Sequence, residues 1–152
     1  MEKIKKRCPW VPKDNQLYEK YHDTEWGAPI HSDRKLFEFL VLESAQAGLS
    51  WETILKKREG YRRLFVNFNP QKVATFTKRD VLRLLNLPTS EIIRNRSKIE
   101  ATINNAKKFL EVQKEFGTFS KYQWSFVGDK QIVNKIGKIQ DYKISTPQSD
   151  AM

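Results

Sequence analysis

From Ser32 to Gly48 the chain repeats apolar residues at helical spacing. Phe37, Leu40 and Val41 lie on one stripe, between a Ser able to cap a helix start and a Gly able to take the left-handed position that ends one. A side-chain period near 3.6 over residues 33–47 is incompatible with a strand buried on one face, so this segment has to be a helix packed against other helices. It also carries a carboxylate, Glu43, in the run Leu42-Glu43-Ser44-Ala45-Gln46-Ala47-Gly48-Leu49-Ser50-Trp51. A carboxylate inside an apolar stripe must find donors, take up a proton, or meet a ligand that favours negative charge. The ordinary alternative is a Glu at the margin of the buried face, solvated or ion-paired.

The rest of the chain follows the same period. One short helix is expected around Gln16 to Tyr21; residues 1–31 are otherwise irregular, punctuated by Pro9, Pro12, Gly27 and Pro29. A second helix runs from about Trp51 to Lys57 and resumes toward Phe65 after an interruption at Gly60. Asn69-Pro70 is a cap followed by proline in the first turn. Thr77 and Asp80 have capping-box spacing ahead of Val81, Leu84 and Leu85. Ile99, Ile103, Ala106 and Leu110 put a long amphipathic helix over roughly residues 97–115. Residues 131–144 alternate only weakly and read as loop or short helix, and Ser149 or Asp150 reads as the cap of a helix at the end of the sequence. No alternating strand, repeat or linker interrupts the pattern, so the expected class is all-α in a single domain, 1–152.

Charge narrows the partner. The 152 residues hold 28 Lys+Arg against 18 Asp+Glu, a formal net charge of +10. That balance points to a polyanion, most commonly nucleic acid, with generic basicity as the alternative. The one cysteine, Cys8, excludes a disulfide within the chain and suits a reducing, cytoplasmic setting. Met1 to Arg7 is charged and leads into no apolar signal core, and no apolar run is long enough to span a membrane.

Three clusters carry chemistry. Tyr18, Tyr21 and Trp26 precede Glu43, and Trp51 follows it. One carboxylate among aromatic faces suits a pocket for a flat, electron-poor heterocycle, although Trp and Tyr in a small domain are more often core. The segment Glu91 to Ile99 joins two helices, with Arg94, Arg96 and Lys98 at the start of the second. There, free backbone N–H groups and the helix dipole attract phosphate. This is helix-hairpin-helix logic, with Ser90 and Glu91 where a glycine is usual; a solvated basic turn is the alternative. Cys8 and His22 are candidate metal ligands, yet two donors cannot close a tetrahedral zinc site. Taken alone they read as a small apolar residue and a hydrogen-bonded His. The chain has no Gly-rich phosphate loop, His-Glu-x-x-His or Gly-x-Ser-x-Gly motif.

The motifs fall in order along nearly the whole chain. They are Arg7-Cys8-Pro9-Trp10-Val11, Tyr21-His22-Asp23-Thr24-Glu25-Trp26-Gly27, Leu36-Phe37-Glu38, Leu42 to Trp51 followed by Ile54-Leu55-Lys56-Lys57-Arg58-Glu59, Ile92 to Ile99, and Trp124-Ser125-Phe126-Val127. In this set the chain resembles the 3-methyladenine DNA glycosylase I family. The resemblance implies a helix-hairpin-helix glycosylase fold with an irregular, zinc-associated N-terminal segment. It also implies base-excision repair: hydrolysis of the N-glycosidic bond of 3-methyladenine in double-stranded alkylated DNA, by a monomer without membrane attachment. By the same resemblance Glu43 is the catalytic residue that hydrogen-bonds the flipped base, and Tyr18, Tyr21, Trp26 and Trp51 form the aromatic pocket. Gly48, Leu49 and Ser50 lie at the DNA, and Cys8 and His22 are two of four ligands of a structural zinc. Family members continue past Ser149-Asp150-Ala151 with a helical segment holding a second His and Cys pair. The resemblance therefore implies a glycosylase domain lacking the family's C-terminal segment, with an incomplete zinc site. It leaves one alternative function, a non-catalytic DNA-binding helix-hairpin-helix module.

Overall fold

All regular structure among the described residues of this computed structural model, residues 6–152, is helical, as a period of 3.6 requires. The charged start, Met1 to Lys5, lies outside them. The order is α1 (Gln16–Thr24), α2 (Asp33–Gln46), α3 (Trp51–Leu64), a 3-10 turn (Val66–Phe68), α4 (Pro70–Val73), α5 (Lys78–Leu85), α6 (Arg96–Phe116), α7 (Phe119–Ser125), a second 3-10 turn (Ile139–Asp141) and α8 (Pro147–Ala151).

Side-chain caps fix most starts. Asn15, Ser50, Asn69, Asn95 and Thr118 each accept from a backbone N–H in the first turn of the helix that follows. Asp80 accepts from the Thr77 backbone N–H at 2.9 Å, closing the expected box. Gly48, with φ at +76°, follows the C-cap Ala47 and turns the chain out of α2. The core gathers α2, α3, α5 and α6 around the fully buried Phe37, Leu42, Ile54, Leu84 and Phe109, with Phe37 set edge-on to Phe109 at 5.2 Å. Each such side chain contributes about 1.5–3 kcal/mol of hydrophobic stabilisation.

Several expectations change. Helix α3 is continuous, with no break at Gly60. A Cβ built there would stand 2.0 Å from the Glu91 carbonyl oxygen, so the glycine admits the α5–α6 connection onto α3. Helix α6 begins at Arg96, one residue early, because Asn95 is its cap. The terminal helix is capped by Thr146, with Pro147 in its first turn, and not by Ser149 or Asp150. Helix α7 was not expected, although Thr118 caps it locally. Asp33 of α2 accepts from the Phe119 and Ser120 backbone N–H groups, both at 2.9 Å, and so satisfies the start of α7 from across the fold. Val66, Asn67 and Phe68 take φ of +51°, +55° and +52°. That left-handed turn costs about 1–2 kcal/mol per non-glycine residue. The burial of Phe65 before the turn and of Phe68 within it offsets this cost.

The N-terminal segment is tied to α1 by polar contacts. Arg7 donates to both carboxylate oxygens of Asp23, at 3.1 and 2.9 Å, and pairs with Glu19 at 3.2 Å. The zinc association expected of this segment finds no further donor: among the described residues no three His, Cys, Asp or Glu side chains converge into a group that could hold a metal ion. None of the described helices is long and apolar enough to cross a membrane.

Candidate active site

Helix α1 stands across from the C-terminal turns of α2 and the first turn of α3, leaving a cleft of about 660 Å³. Tyr18 and Tyr21 enter it from α1, Trp26 from the corner that follows, Glu43 from α2 and Trp51 from α3. Residues spread over 34 positions of sequence thus meet at one opening. Tyr21 and Trp51 rings are 5.4 Å apart, and Trp26 lies edge-on to Trp10 at 5.1 Å.

Four lining residues were missed: Pro9, Trp10, Gln46 and Tyr142. Gln46 is one turn beyond Glu43, and that i, i+3 spacing was the signal that could have found it. Trp10 is hidden in a proline-punctuated segment, and Tyr142 sits in the weakly patterned C-terminal stretch, where its hydroxyl donates to the Cys8 thiol sulfur at 3.7 Å.

The carboxylate inside the buried stripe of α2 is Glu38, not Glu43. Glu38 is 5% exposed and is met by Arg58 Nε at 2.7 Å, Arg62 at 2.9 Å and Lys35 at 3.1 Å. Burial pushes its carboxyl up, and Arg58 and Lys35 more than reverse this, holding it below the usual carboxylate range. Glu43 instead opens into the cleft, and among the described residues its carboxylate has no hydrogen-bond or ion-pair partner. Partial burial alone pushes its carboxyl up. Tyr21 is pushed up to about 12 by its own burial and then by the charge of Glu43. The indole Nε1 of Trp51 is buried and finds no acceptor among the described residues. An unpaired negative charge, a buried spare donor and several ring faces are what a flat cation with polar edges requires.

Gly48, Leu49 and Ser50 form the turn from α2 to α3 at the rim. Leu49 is part-exposed there, and Ser50 caps α3. Beyond it lies the α5–α6 connection. Arg94 and Arg96 are exposed; Arg94 donates to the Leu87 carbonyl at 3.1 Å and Arg96 pairs with Glu100 at 3.4 Å. Lys98 is committed inward, to the carbonyls of Ala45 and Ala47. Cys8 and His22 are brought together: the Cys8 backbone N–H donates to His22 Nε2 at 3.3 Å, while Nδ1 is 3.0 Å from Asp23 Oδ1.

Comparison with known proteins meets the same chemistry. The family model for methyladenine glycosylase matches residues 10–152. A DNA-3-methyladenine glycosylase of Haemophilus influenzae is 44% identical over 146 residues, spanning 96% of this chain and 77% of that protein. DNA-3-methyladenine glycosylase 1 of Escherichia coli is 45% identical over 146 residues, spanning 96% and 76%. Among solved structures, one of 3-methyladenine DNA glycosylase I superposes with a TM-score of 0.89 at 45% identity, covering 96% of this chain and 79% of that one. A tyrosine-to-phenylalanine variant of such an enzyme, solved in complex with 3-methyladenine, gives 0.87 at 39% identity, covering 93% and 75%.

Proposed function

The chain belongs to the methyladenine glycosylase family, and from that premise we propose that the cleft between α1, α2 and α3 receives a flipped 3-methyladenine, with Glu43 against its donor edge and aromatic rings on its faces. The function is hydrolysis of the N-glycosidic bond of 3-methyladenine in alkylated DNA. The observation that carries the site assignment is the unpaired carboxylate of Glu43 in an aromatic cleft.

The chemistry asks little of the protein beyond holding the base. Alkylation at N3 makes the base cationic, so it leaves as a neutral molecule when the C1′–N9 bond breaks and its electron pair passes to the ring. Water adds to C1′ and gives up a proton. Glu43 accepts hydrogen bonds from the base and favours the charged, alkylated form, and ring faces attract a cation more than neutral adenine. The described lining of the cleft includes no lysine, which fits release by water rather than through an imine.

The α5–turn–α6 unit reads as the helix-hairpin-helix that grips double-stranded DNA, with Arg94 and Arg96 toward the phosphates and Gly48-Leu49-Ser50 at the gap left by the base. A monomer suffices, because a single chain supplies both cleft and hairpin. For zinc, the residues present supply only the pair Cys8 and His22, which does not satisfy a four-coordinate structural site. No step runs through a metal; a zinc completed by other donors would tie the N-terminal segment to α1.

The test is release of free base. Alkylated duplex DNA incubated with the chain should yield free 3-methyladenine by chromatography, and Glu43→Gln should reduce the yield. Binding to the duplex with no base released would overturn this reading in favour of a DNA-binding module.

A further inference from the structure

The aromatic wall of the cleft has little apolar burial of its own. Helix α1 buries only Tyr21, and Trp26 is 50% exposed. The ring partners of Trp26, Trp10 and Tyr21, stand on the same side of the opening. Beside the Tyr21–Trp51 ring contact at 5.4 Å, a charged lock joins this wall to the opposite side. Glu25, the C-cap of α1 and the neighbour of Trp26, takes a two-pronged hydrogen bond from Arg58 of α3, both distances 2.7 Å. The same guanidinium donates through Nε to Glu38 of α2 at 2.7 Å, and Lys35 reaches Glu25 and Glu38 at 2.9 and 3.1 Å. Arg58 is 9% exposed, so the fork is held in one orientation.

We propose that Arg58 is a positioning residue that fixes the Glu25–Trp26 corner against α2 and α3 and thereby sets the width of the cleft. The inference rests on the reading of that cleft as the base site. The geometry requires arginine in particular: a planar fork fixes both oxygens of Glu25 while the third nitrogen holds Glu38, and an ammonium is a point charge that fixes no such plane. After Trp26 the chain turns at Gly27, with φ at +71°; the Ala28 backbone N–H donates to the Glu25 carbonyl at 3.1 Å, and Gln131 donates to the Gly27 carbonyl at 2.9 Å. A shift of about 1 Å in a wall that grips a flat base is enough to cost binding and rate heavily.

The test uses the full chain labelled with 5-fluorotryptophan, with resonances assigned through Trp26→Phe and Trp124→Phe. In ligand-free Arg58→Lys the Trp26 fluorine signal should shift or broaden while that of Trp124, whose indole is held by the Ile30 carbonyl at 2.8 Å and stacked on His31, stays in place. The dissociation constant for free 3-methyladenine should rise about tenfold, with affinity for undamaged duplex unchanged. Should Arg58→Lys fail to fold, Glu25→Gln carries the same expectations, since it leaves the Arg58–Glu38 bond in place. An unmoved Trp26 signal and an unchanged dissociation constant, beside a lowered melting temperature, would overturn the proposal and leave Arg58 as a stabilising residue only. If the unsubstituted chain fails to bind 3-methyladenine, the base-site reading falls, and the fluorine signal still decides the positioning claim.

Discussion

Lys98, at the start of α6, donates its ammonium to the carbonyl of Ala47, the C-cap of α2, at 2.7 Å, and to that of Ala45 at 2.8 Å. These are orphan acceptors of a helix end, and a cation there also meets the negative pole of the helix dipole. The contact ties the basic hairpin to the helix that carries Glu43, one residue before the Gly48 turn. Lys98, expected at the phosphates, thus joins the start of α6 to the end of α2.

Lys98→Met keeps the apolar stem and removes the donor. It should lower stability by about 1–3 kcal/mol, because it leaves two carbonyls without a charged partner. The slope of duplex affinity against salt should stay nearly unchanged, whereas Arg94→Ala or Arg96→Ala should each reduce it by roughly 0.9. Urea melts and salt titrations with undamaged duplex separate the two kinds of cation; a full unit of slope lost with Lys98→Met would put its ammonium on a phosphate.

Glu43→Gln should weaken selection for the cationic base by about 1–3 kcal/mol, the size of one charge-assisted contact. The pH dependence has a definite sign. The folded carboxyl titrates above its ordinary value, so the fold binds that proton more tightly than the unfolded chain and the ionised form is a cost at neutral pH. Removing the charge should leave stability unchanged or slightly higher while activity falls. Selection for the cationic base should fade as pH drops through the raised value, and Glu43→Gln should flatten that profile. A pH series of base release, paired with melting curves, checks both halves.

Glu25 behaves in the opposite sense. Hydrogen bonds from Arg58, and then from Lys35, hold its carboxyl at about 2, against an ordinary 4.5. Its stabilisation is complete above the ordinary value and is lost as pH falls from 4.5 toward 2. Discounted for solvent access to the pair, this amounts to about 1–2 kcal/mol. Glu25→Gln should therefore be destabilised at pH 7, and the difference from the unsubstituted chain should vanish near the acid end of that window in urea melts.

What was legible in the sequence follows from range. The helices α2, α3, α5 and α6 announced themselves because their caps and stripes are local: Ser50, Asn69, Thr77 and Gly48 act within a turn or two. Helix α7 did not, because it is short and Thr118 caps only part of its start; Asp33 takes two further N–H groups from the far side of the fold. The pocket residues Tyr18, Tyr21, Trp26, Glu43 and Trp51 were nameable as one carboxylate among aromatics and again through family resemblance, but their convergence depends on α1 crossing α2 and α3. Which glutamate is buried could not be read from period alone. Glu38 lies on the stripe and survives there only because Arg58, Arg62 and Lys35 arrive from other turns and another helix.

Gly60 shows the same limit in a form that can be tested. Replacing a mid-helix glycine by alanine ordinarily stabilises a helix by about 1 kcal/mol. Here the added methyl would meet the Glu91 carbonyl oxygen at 2.0 Å, and that atom is backbone, so the α5–α6 connection has to move. The connection is held on the same face of α3 by Lys57, which donates to the Thr89 carbonyl, and by Arg63, which pairs with Glu91. Gly60→Ala should therefore destabilise by about 1–3 kcal/mol, the usual cost of overpacking. It should also displace Arg94 and Arg96 from their register on DNA while leaving the cleft intact, since Glu43 and Trp51 lie at the other end of the α2–α3 pair. Duplex affinity should drop and binding of free 3-methyladenine should persist; isothermal titration with each ligand measures the two separately, and an equal loss in both would mean that the cleft and the hairpin move as one body.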